Sequence, residues 1–138
     1  MEQSDYILRE IQKIGEILLK IRKKIDGAEI TNSQPFDFQL EEVKSLLKDT
    51  FGLNLDEFLL LTERNTKMYV AGHKSFNINN TELLGDFCKT IGEKTVNIKS
   101  QLYLKKALEL FELCNSLDRT YSIDREYKIY SLKNILNN

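Results

Sequence analysis

Apolar residues recur at helical spacing from the start of the chain. Their steps alternate between four and three residues, which places them in one stripe along a helix. The stripe consists of Ile7, Ile11, Ile14, Leu18, Ile21 and Ile25. Ser4 or Asp5 can cap this segment, and Gly27 follows the last apolar position as a stop signal. The pattern therefore predicts an amphipathic N-terminal helix within residues 1–27.

A second helix is predicted after a short irregular segment. Residues 28–36 lose the helical period and contain Pro35, the one proline of the chain, so they indicate a loop. Asp37 can cap the helix that follows, and Gly52 can end it. The apolar positions of this helix are Leu40, Val43, Leu46 and Leu47.

Capping boxes predict the start of the third and fourth helices. In a capping box, one polar side chain and an acidic residue three positions later satisfy backbone donors of the first turn. Asn54 and Glu57 form one such pair, and Asn79 and Glu82 form another. The fourth helix is predicted to run to Gly92, where a glycine can end it.

The segment between these two starts, residues 65–79, mixes polar and apolar residues without a period. Because a long structureless loop is uncommon in a compact domain, we expect the third helix to extend into it. The alternative is a functional flap.

Two further helices complete the pattern, one over residues 96–117 and one capped by Ser122. The inward positions of the fifth helix are predicted to be Ile98, Leu102, Leu104, Ala107, Leu108, Phe111 and Cys114. The apolar positions of the sixth are Ile123, Tyr127, Tyr130, Leu132, Ile135 and Leu136. No alternating β pattern competes. We predict an all-α bundle of five to six helices in a single domain, residues 1–138, with the N-terminal helix at 1–27 and a helical-hairpin region at 37–138.

Composition narrows the class of protein. The chain has 138 residues, of which 41% are apolar, with 20 basic against 21 acidic side chains. It is too apolar for a disordered protein, and its balanced charge disfavours a basic nucleic-acid binder. The N-terminus does not resemble a signal peptide, and no uncharged apolar run is long enough to span a membrane. We expect a cytoplasmic protein.

Few residues are candidates for chemistry. His73 is the only histidine, and it lies beside Gly72 and Lys74 in the irregular segment, which favours a solvated surface side chain. Cys88 and Cys114 lie within helical patterns, where we expect buried free thiols. The sequence contains no phosphate loop, dinucleotide fingerprint or metal-binding motif. We predict no catalytic residue, cofactor or metal.

Parts of the chain resemble the tetratricopeptide repeat. In residues 107–118, a small residue, an aromatic four positions later, a second small residue and a closing Leu-Asp pair fit the second helix of the repeat. Gly85 and Gly92 resemble its first helix, although about ten more residues separate Gly92 from Ala107 than the repeat allows. Residues 5–11 also look like the start of small uncharacterised bacterial helical proteins with such a hairpin. The resemblance implies an all-α fold and a bacterial source, and it implies no activity.

Three functions are compatible with these observations. The first is a non-enzymatic interaction or scaffold module that presents a helix face or groove to another protein. The second is a nucleic-acid-associated regulator that uses the basic end of the N-terminal helix, where Lys20, Arg22, Lys23 and Lys24 cluster. The third is an enzyme with a site near residues 65–79. We favour the first.

The N-terminal helix also carries more apolar surface than one neighbour covers. Tyr6, Leu8, Ile17 and Leu19 lie beside or outside its apolar stripe. A second copy could close this side through a two-fold contact, so we expect a homodimer, whereas the rival arrangement buries the helix between helices two and five of one chain. The predicted interaction surface comprises Tyr6, Leu8, Ile17, Leu19, Arg22, Lys23 and Lys24.

Overall fold

The computed structural model describes residues 33–73 and 76–137 and six separate positions nearer the N-terminus. These positions are Arg9, Gln12, Gly15, Glu16, Leu19 and Lys23, all in helical conformation. For residues 33–39 and Thr50 the backbone alone is described. The described residues form helices and no strand, which confirms the all-α prediction. The rest of the predicted N-terminal helix lies outside the described residues.

Six helices follow one another in the two continuous ranges. They are α1 Ser33–Phe51, α2 Leu55–Leu59, α3 Glu63–Gly72, α4 Ile78–Lys94, α5 Lys99–Leu117 and α6 Ile123–Asn137. Helices α4 and α5 form a tightly packed antiparallel hairpin, and α2, α3 and α6 all contact α5. None of these helices combines the length and the apolarity needed to cross a lipid bilayer.

The hairpin packs closely because two glycines of α4 lie in the contact. A Cβ atom at Gly85 would lie 2.8 Å from the Phe111 ring, and one at Gly92 would lie 2.7 Å from Leu104 Cδ2. Ala107 of α5 is fully buried. The small residues on which the tetratricopeptide resemblance rests therefore belong to the packed interior of this hairpin.

The core is centred on α4 and α5, and each of the other helices contributes buried apolar side chains to it. Its fully or almost fully buried members include Val43, Leu47, Leu53, Leu55, Phe58, Leu84, Phe87, Ile91, Tyr103, Ala107, Leu110, Phe111 and Leu132. Burial of such side chains is the main favourable contribution to folding. Cys88 and Cys114 are buried free thiols, as predicted.

Helix α1 begins at Ser33 rather than at Asp37 and takes in part of the predicted loop. Pro35 is compatible with this start because the first turn of a helix needs no intrahelical partner for its backbone nitrogens. The predicted end is confirmed, since Gly52 follows α1 with a φ of 69°, a left-handed conformation that suits glycine.

The predicted third helix is two separate helices. Asn54 caps α2 as expected, because its side chain accepts a hydrogen bond from the Glu57 nitrogen at 3.1 Å. However, α2 ends at Leu59, and Thr62 caps a new helix, α3. The expected extension of the third helix is therefore wrong in detail: residues 65–72 are helical, but they belong to α3.

The start of α4 lies two positions before the predicted capping box. Asn77, not Asn79, is the N-cap, and its side chain accepts a hydrogen bond from the Asn80 nitrogen at 2.9 Å. Helix α4 continues past Gly92 to Lys94, because the glycine serves helix packing there and not termination.

Two side chains predicted to face inward are exposed instead. Ile98 precedes the first residue of α5 and is 87% exposed, and Leu102 is 37% exposed. The predicted Ser122 cap of α6 is confirmed, because its hydroxyl oxygen accepts a 3.2 Å hydrogen bond from the Arg125 nitrogen. Four of the apolar positions named for this helix are exposed, namely Ile123, Tyr127, Tyr130 and Ile135. The inner face of α6 holds Arg125, Ile129 and Leu132.

Candidate functional site

The described part of the predicted interaction surface is exposed. Leu19 is helical and 45% exposed, and Lys23 is helical and exposed. Gly15 approaches α4 so closely that a Cβ there would lie 2.9 Å from Asn80 Oδ1. The other predicted surface residues lie outside the described residues, namely Tyr6, Leu8, Ile17, Arg22 and Lys24.

His73 is not the solvated side chain that the sequence predicts. It is half-buried at the end of α3, with its ring centroid 4.5 Å from that of Tyr69 and 6.1 Å from that of Phe76. Tyr69 in turn lies 5.5 Å from Phe58, and Phe76 lies 6.3 Å from Phe51. The segment proposed as an enzyme site or flap thus contributes a row of aromatic rings packed on the core. Neighbouring aromatic residues on both sides of the histidine were the signal for this role.

A buried lysine on α5 is the first interior charged group. Lys106 is 1% exposed, and its ammonium donates hydrogen bonds to the Leu61 carbonyl at 2.8 Å, to Thr66 Oγ1 at 2.7 Å and to Glu109 Oε2 at 2.9 Å. It also lies 5.4 Å from the centre of the Phe58 ring. Because an ammonium has three protons, these three acceptors satisfy it completely.

This lysine fixes α5 to the link between α2 and α3. A nucleophilic lysine needs an uncharged amine that faces a substrate. The Lys106 nitrogen instead forms a buried ion pair with Glu109. The apolar pattern of the sequence did not predict this cluster. The one signal for it was a charged residue beside the inward positions Tyr103, Ala107 and Leu110.

The second interior charged group, the Arg125 network, joins α4, α5 and α6. Its members are Glu82, Asp86, Asn115, Asp118, Arg125 and Lys128. Arg125 is 4% exposed, with Nε 2.8 Å from Glu82 Oε1, Nη1 3.1 Å from Asn115 Oδ1 and Nη2 3.3 Å from Asp118 Oδ2. Three acceptor groups therefore surround one guanidinium.

Lys128 extends the network one helical turn along α6. Its ammonium lies 3.2 Å from Glu82 Oε2, 2.8 Å from Asp86 Oδ1 and 5.3 Å from the centre of the Phe111 ring. Burial opposes ionisation of Glu82, but hydrogen bonds from Arg125 and Lys128 outweigh it and lower the pKa of this carboxyl. Glu82 is therefore charged at neutral pH.

The two cysteines are poor nucleophiles. Burial raises the pKa of Cys88 to about 12, with a smaller opposing influence from Lys106. Burial likewise raises the pKa of Cys114 to about 12, against the opposing charge of Arg125. A reactive cysteine requires a lowered pKa and access to solvent, and neither thiol has them.

A small cleft of about 260 Å³ opens where α5 passes the end of α2. It is lined by Leu59, Leu60, Leu61, Thr62, Leu102, Lys105, Lys106 and Glu109. Its polar groups at Lys106 and Glu109 already bind each other. Among the described residues, no group of three or more His, Cys, Asp or Glu side chains is arranged to hold a metal ion.

The most exposed apolar row in the two continuous ranges lies on α6. Ile123, Tyr127 and Tyr130 are 75%, 73% and 67% exposed, and Asn134 continues the row toward the C-terminus. We call these four residues the outer face of α6. Steps of four, three and four residues place them on one side of the helix, opposite the inner residues Arg125, Ile129 and Leu132.

Neither a scan against protein-family models nor searches of curated proteins and of solved structures found a match.

Proposed function

We propose that the protein is a non-enzymatic interaction module that binds another protein through the outer face of α6. The observation that carries this proposal is the exposure of Ile123, Tyr127 and Tyr130 in one row. Contiguous exposed apolar rows are characteristic of contact sites, and tyrosine is enriched where interfaces derive most of their binding energy.

The inner face of α6 supports the proposal because it holds the helix rigidly. Arg125 and Lys128 bind carboxylates on α4, while Ile129 and Leu132 are buried in the core. A helix fixed in this way presents its outer side chains in a formed arrangement, so a partner pays little ordering entropy on binding.

Two expectations from the sequence accompany this proposal. A helical hairpin that resembles a tetratricopeptide repeat belongs to a class of folds that commonly bind other proteins. The N-terminal helix remains a second candidate surface, and the 45% exposure of Leu19 is in keeping with it. Substituting Ile17→Glu tests that surface separately.

Site-specific photocrosslinking in the native cells tests the proposal. A benzophenone amino acid placed at Tyr127 should give a discrete protein adduct, and the same group at Met68, exposed by 61% on α3, should not. The adduct should disappear when Ile123→Asp is added to the Tyr127 probe, because that substitution disrupts the same face. An unchanged adduct, equal labelling at both probe positions, or no adduct would refute the proposed contact.

A further inference from the structure

The outer face of α6 has the same spacing when it is followed in either direction along the helix. The intervals between Ile123, Tyr127, Tyr130 and Asn134 are four, three and four residues. We propose that this face binds the same face of a second copy of the chain, with the two α6 helices antiparallel. This inference rests on the proposed function and names the partner of the same surface.

The centre of such a contact lies between Tyr127 and Tyr130. Antiparallel packing about a two-fold axis at this point places Tyr127 of one copy beside Tyr130 of the other, and the reverse pair forms at the same time. Ile123 then lies beside Asn134 of the second copy. Paired tyrosines contribute large apolar area with little loss of side-chain entropy.

Charge on one flank of the outer face selects the antiparallel orientation. Glu126 and Lys133 lie seven residues apart, so they project from the same side of the helix. In an antiparallel pair the equivalent flanks meet, which places Glu126 of each copy near Lys133 of the other. In a parallel pair, Glu126 would instead meet Ser131.

The other flank presents no like-charge contact. There, Asp124 of one copy lies near Ser131 of the other in the antiparallel arrangement. Glu126 is also held in position, because its Oε1 accepts a hydrogen bond from Asn115 Nδ2 at 2.6 Å. The outer face is therefore complementary to itself in the spacing of its residues and in the charges of Glu126 and Lys133.

The contact is only one helix wide, so it belongs to the class of small interfaces that dissociate readily. We expect a dimer with a micromolar dissociation constant that accumulates as the protein is concentrated. Sedimentation velocity over a range of concentrations should show the apparent mass rising from 16.1 kDa toward twice that value.

Two variants locate the contact. Tyr127→Glu should keep the protein at 16.1 kDa across the same concentration range while its helical circular dichroism is unchanged. The matched control Met68→Glu, at another exposed apolar position, should dimerise like the wild type. A dimer that persists in Tyr127→Glu and is lost in Ile17→Glu would overturn the proposal in favour of the N-terminal helix.

Charge exchange tests the orientation. Lys133→Glu places carboxylates opposite one another in the antiparallel pair and should raise the dissociation constant about tenfold. Adding Glu126→Lys in the same chain should restore most of the affinity. A Lys133→Glu variant with wild-type affinity, or a double variant that stays as weak as Lys133→Glu, would exclude the antiparallel contact.

Disulfide trapping provides an independent measure of the same geometry. A mixture of Ile123→Cys and Asn134→Cys chains should form mixed disulfides, whereas Ile123→Cys alone should not crosslink to itself. Cys88 and Cys114 are buried and should not compete. Crosslinking of Ile123→Cys to itself would indicate a parallel pair and refute the proposal.

These experiments distinguish failure of the proposed self-association from failure of the proposed function as an interaction module. A protein that remains monomeric at every concentration overturns the self-association, and if Tyr127 still photocrosslinks to a different protein, the interaction module stands. Loss of both signals removes both proposals.

Discussion

The two faces of α6 differ in an unexpected way, because the inner face buries a cation beside Ile129 and Leu132 while the outer face exposes a row of apolar side chains. The inner face contains Arg125, which is 4% exposed, whereas the outer face contains Tyr127, which is 73% exposed. The difference arises because Arg125 has acceptors on α4 and α5, while no described side chain covers the outer row. A charged group can be buried when hydrogen-bonding partners surround it. An apolar row stays exposed when no other helix packs against it.

The strongest test of this comparison removes the inner cation. Arg125→Ala should lower the free energy of unfolding by about 3–4 kcal/mol, because a buried side chain is removed and Glu82 keeps only Lys128 as a charged partner. Urea denaturation followed by circular dichroism gives the value. Tyr130→Ala on the opposite face is the control, and comparable losses in the two variants would contradict the division between the faces.

A second test asks whether the interior cation of α5 behaves like that of α6. Lys106→Met should lower the free energy of unfolding by about 3 kcal/mol, because methionine fills the space but leaves Glu109 and the Leu61 carbonyl without their donor. Chemical denaturation measures it, and Lys105→Met provides an exposed control on the same helix. A neutral result for Lys106→Met would mean that the cluster contributes only packing.

His73 tests whether partial burial of a polar ring has a smaller effect than burial of a cation. His73→Ala should lower the free energy of unfolding by about 1 kcal/mol, since the ring packs at a tilt against Tyr69 and edge-on against Phe76. This exceeds the effect of less than about 0.5 kcal/mol expected for an exposed loop residue. Thermal unfolding of His73→Ala and His73→Phe distinguishes a packed ring from an exposed loop residue, because phenylalanine should retain most of the contact with Tyr69.

Acid titration examines the charge state of the inner face. The pKa of Glu82 in the folded protein lies below its usual value of 4.5. The contribution of this carboxylate to the free energy of unfolding is therefore complete above pH 4.5 and is lost as the pH falls through the lowered pKa. The wild type should therefore exceed Glu82→Gln in stability at pH 7, and the gap should narrow on acidification below about 4.5. A gap that stays constant between pH 7 and pH 3 would show that Glu82 acts through packing alone.

The outer face should have the smallest effect on folding. The double substitution Tyr127→Ser and Tyr130→Ser removes rings that are 73% and 67% exposed, so the free energy of unfolding should change by less than about 0.5 kcal/mol per site. The same variant should lose the association measured by sedimentation. A large loss of stability would place these rings in the fold and not in an interface.

Helix caps were the most predictable features of this chain. Asn54 and Ser122 cap helices where the sequence places them, and Gly52 ends α1 with a positive φ. Cap prediction failed at α1, which begins at Ser33 and not after Asp37, and at α4, where the N-cap is Asn77 and not Asn79. Asn77 and Asn79 lie two positions apart, and either side chain could accept a hydrogen bond from a backbone nitrogen of the first turn, so the local sequence does not distinguish them.

Candidate sites were less predictable than the fold. The sequence suggested Leu19 and Lys23 as surface residues, and both are exposed, but it offered no reason to select the outer face of α6. Its apolar spacing marked Ile123, Tyr127 and Tyr130 as positions of the sixth helix, but periodicity does not indicate whether another part of the fold covers such a row.

The sequence by itself determined the all-α class, most of the helices and the caps at Asn54 and Ser122, because these depend on groups within about four residues of one another. Only the tertiary structure decided that Lys106 is buried, since its acceptors Leu61 and Thr66 lie 45 and 40 positions away. The same holds for the orientation of α6, whose cations Arg125 and Lys128 both bind Glu82, which lies 43 and 46 positions earlier. Hydrophobic periodicity measures how apolar each helix face is, whereas burial depends on which distant partners can satisfy that face.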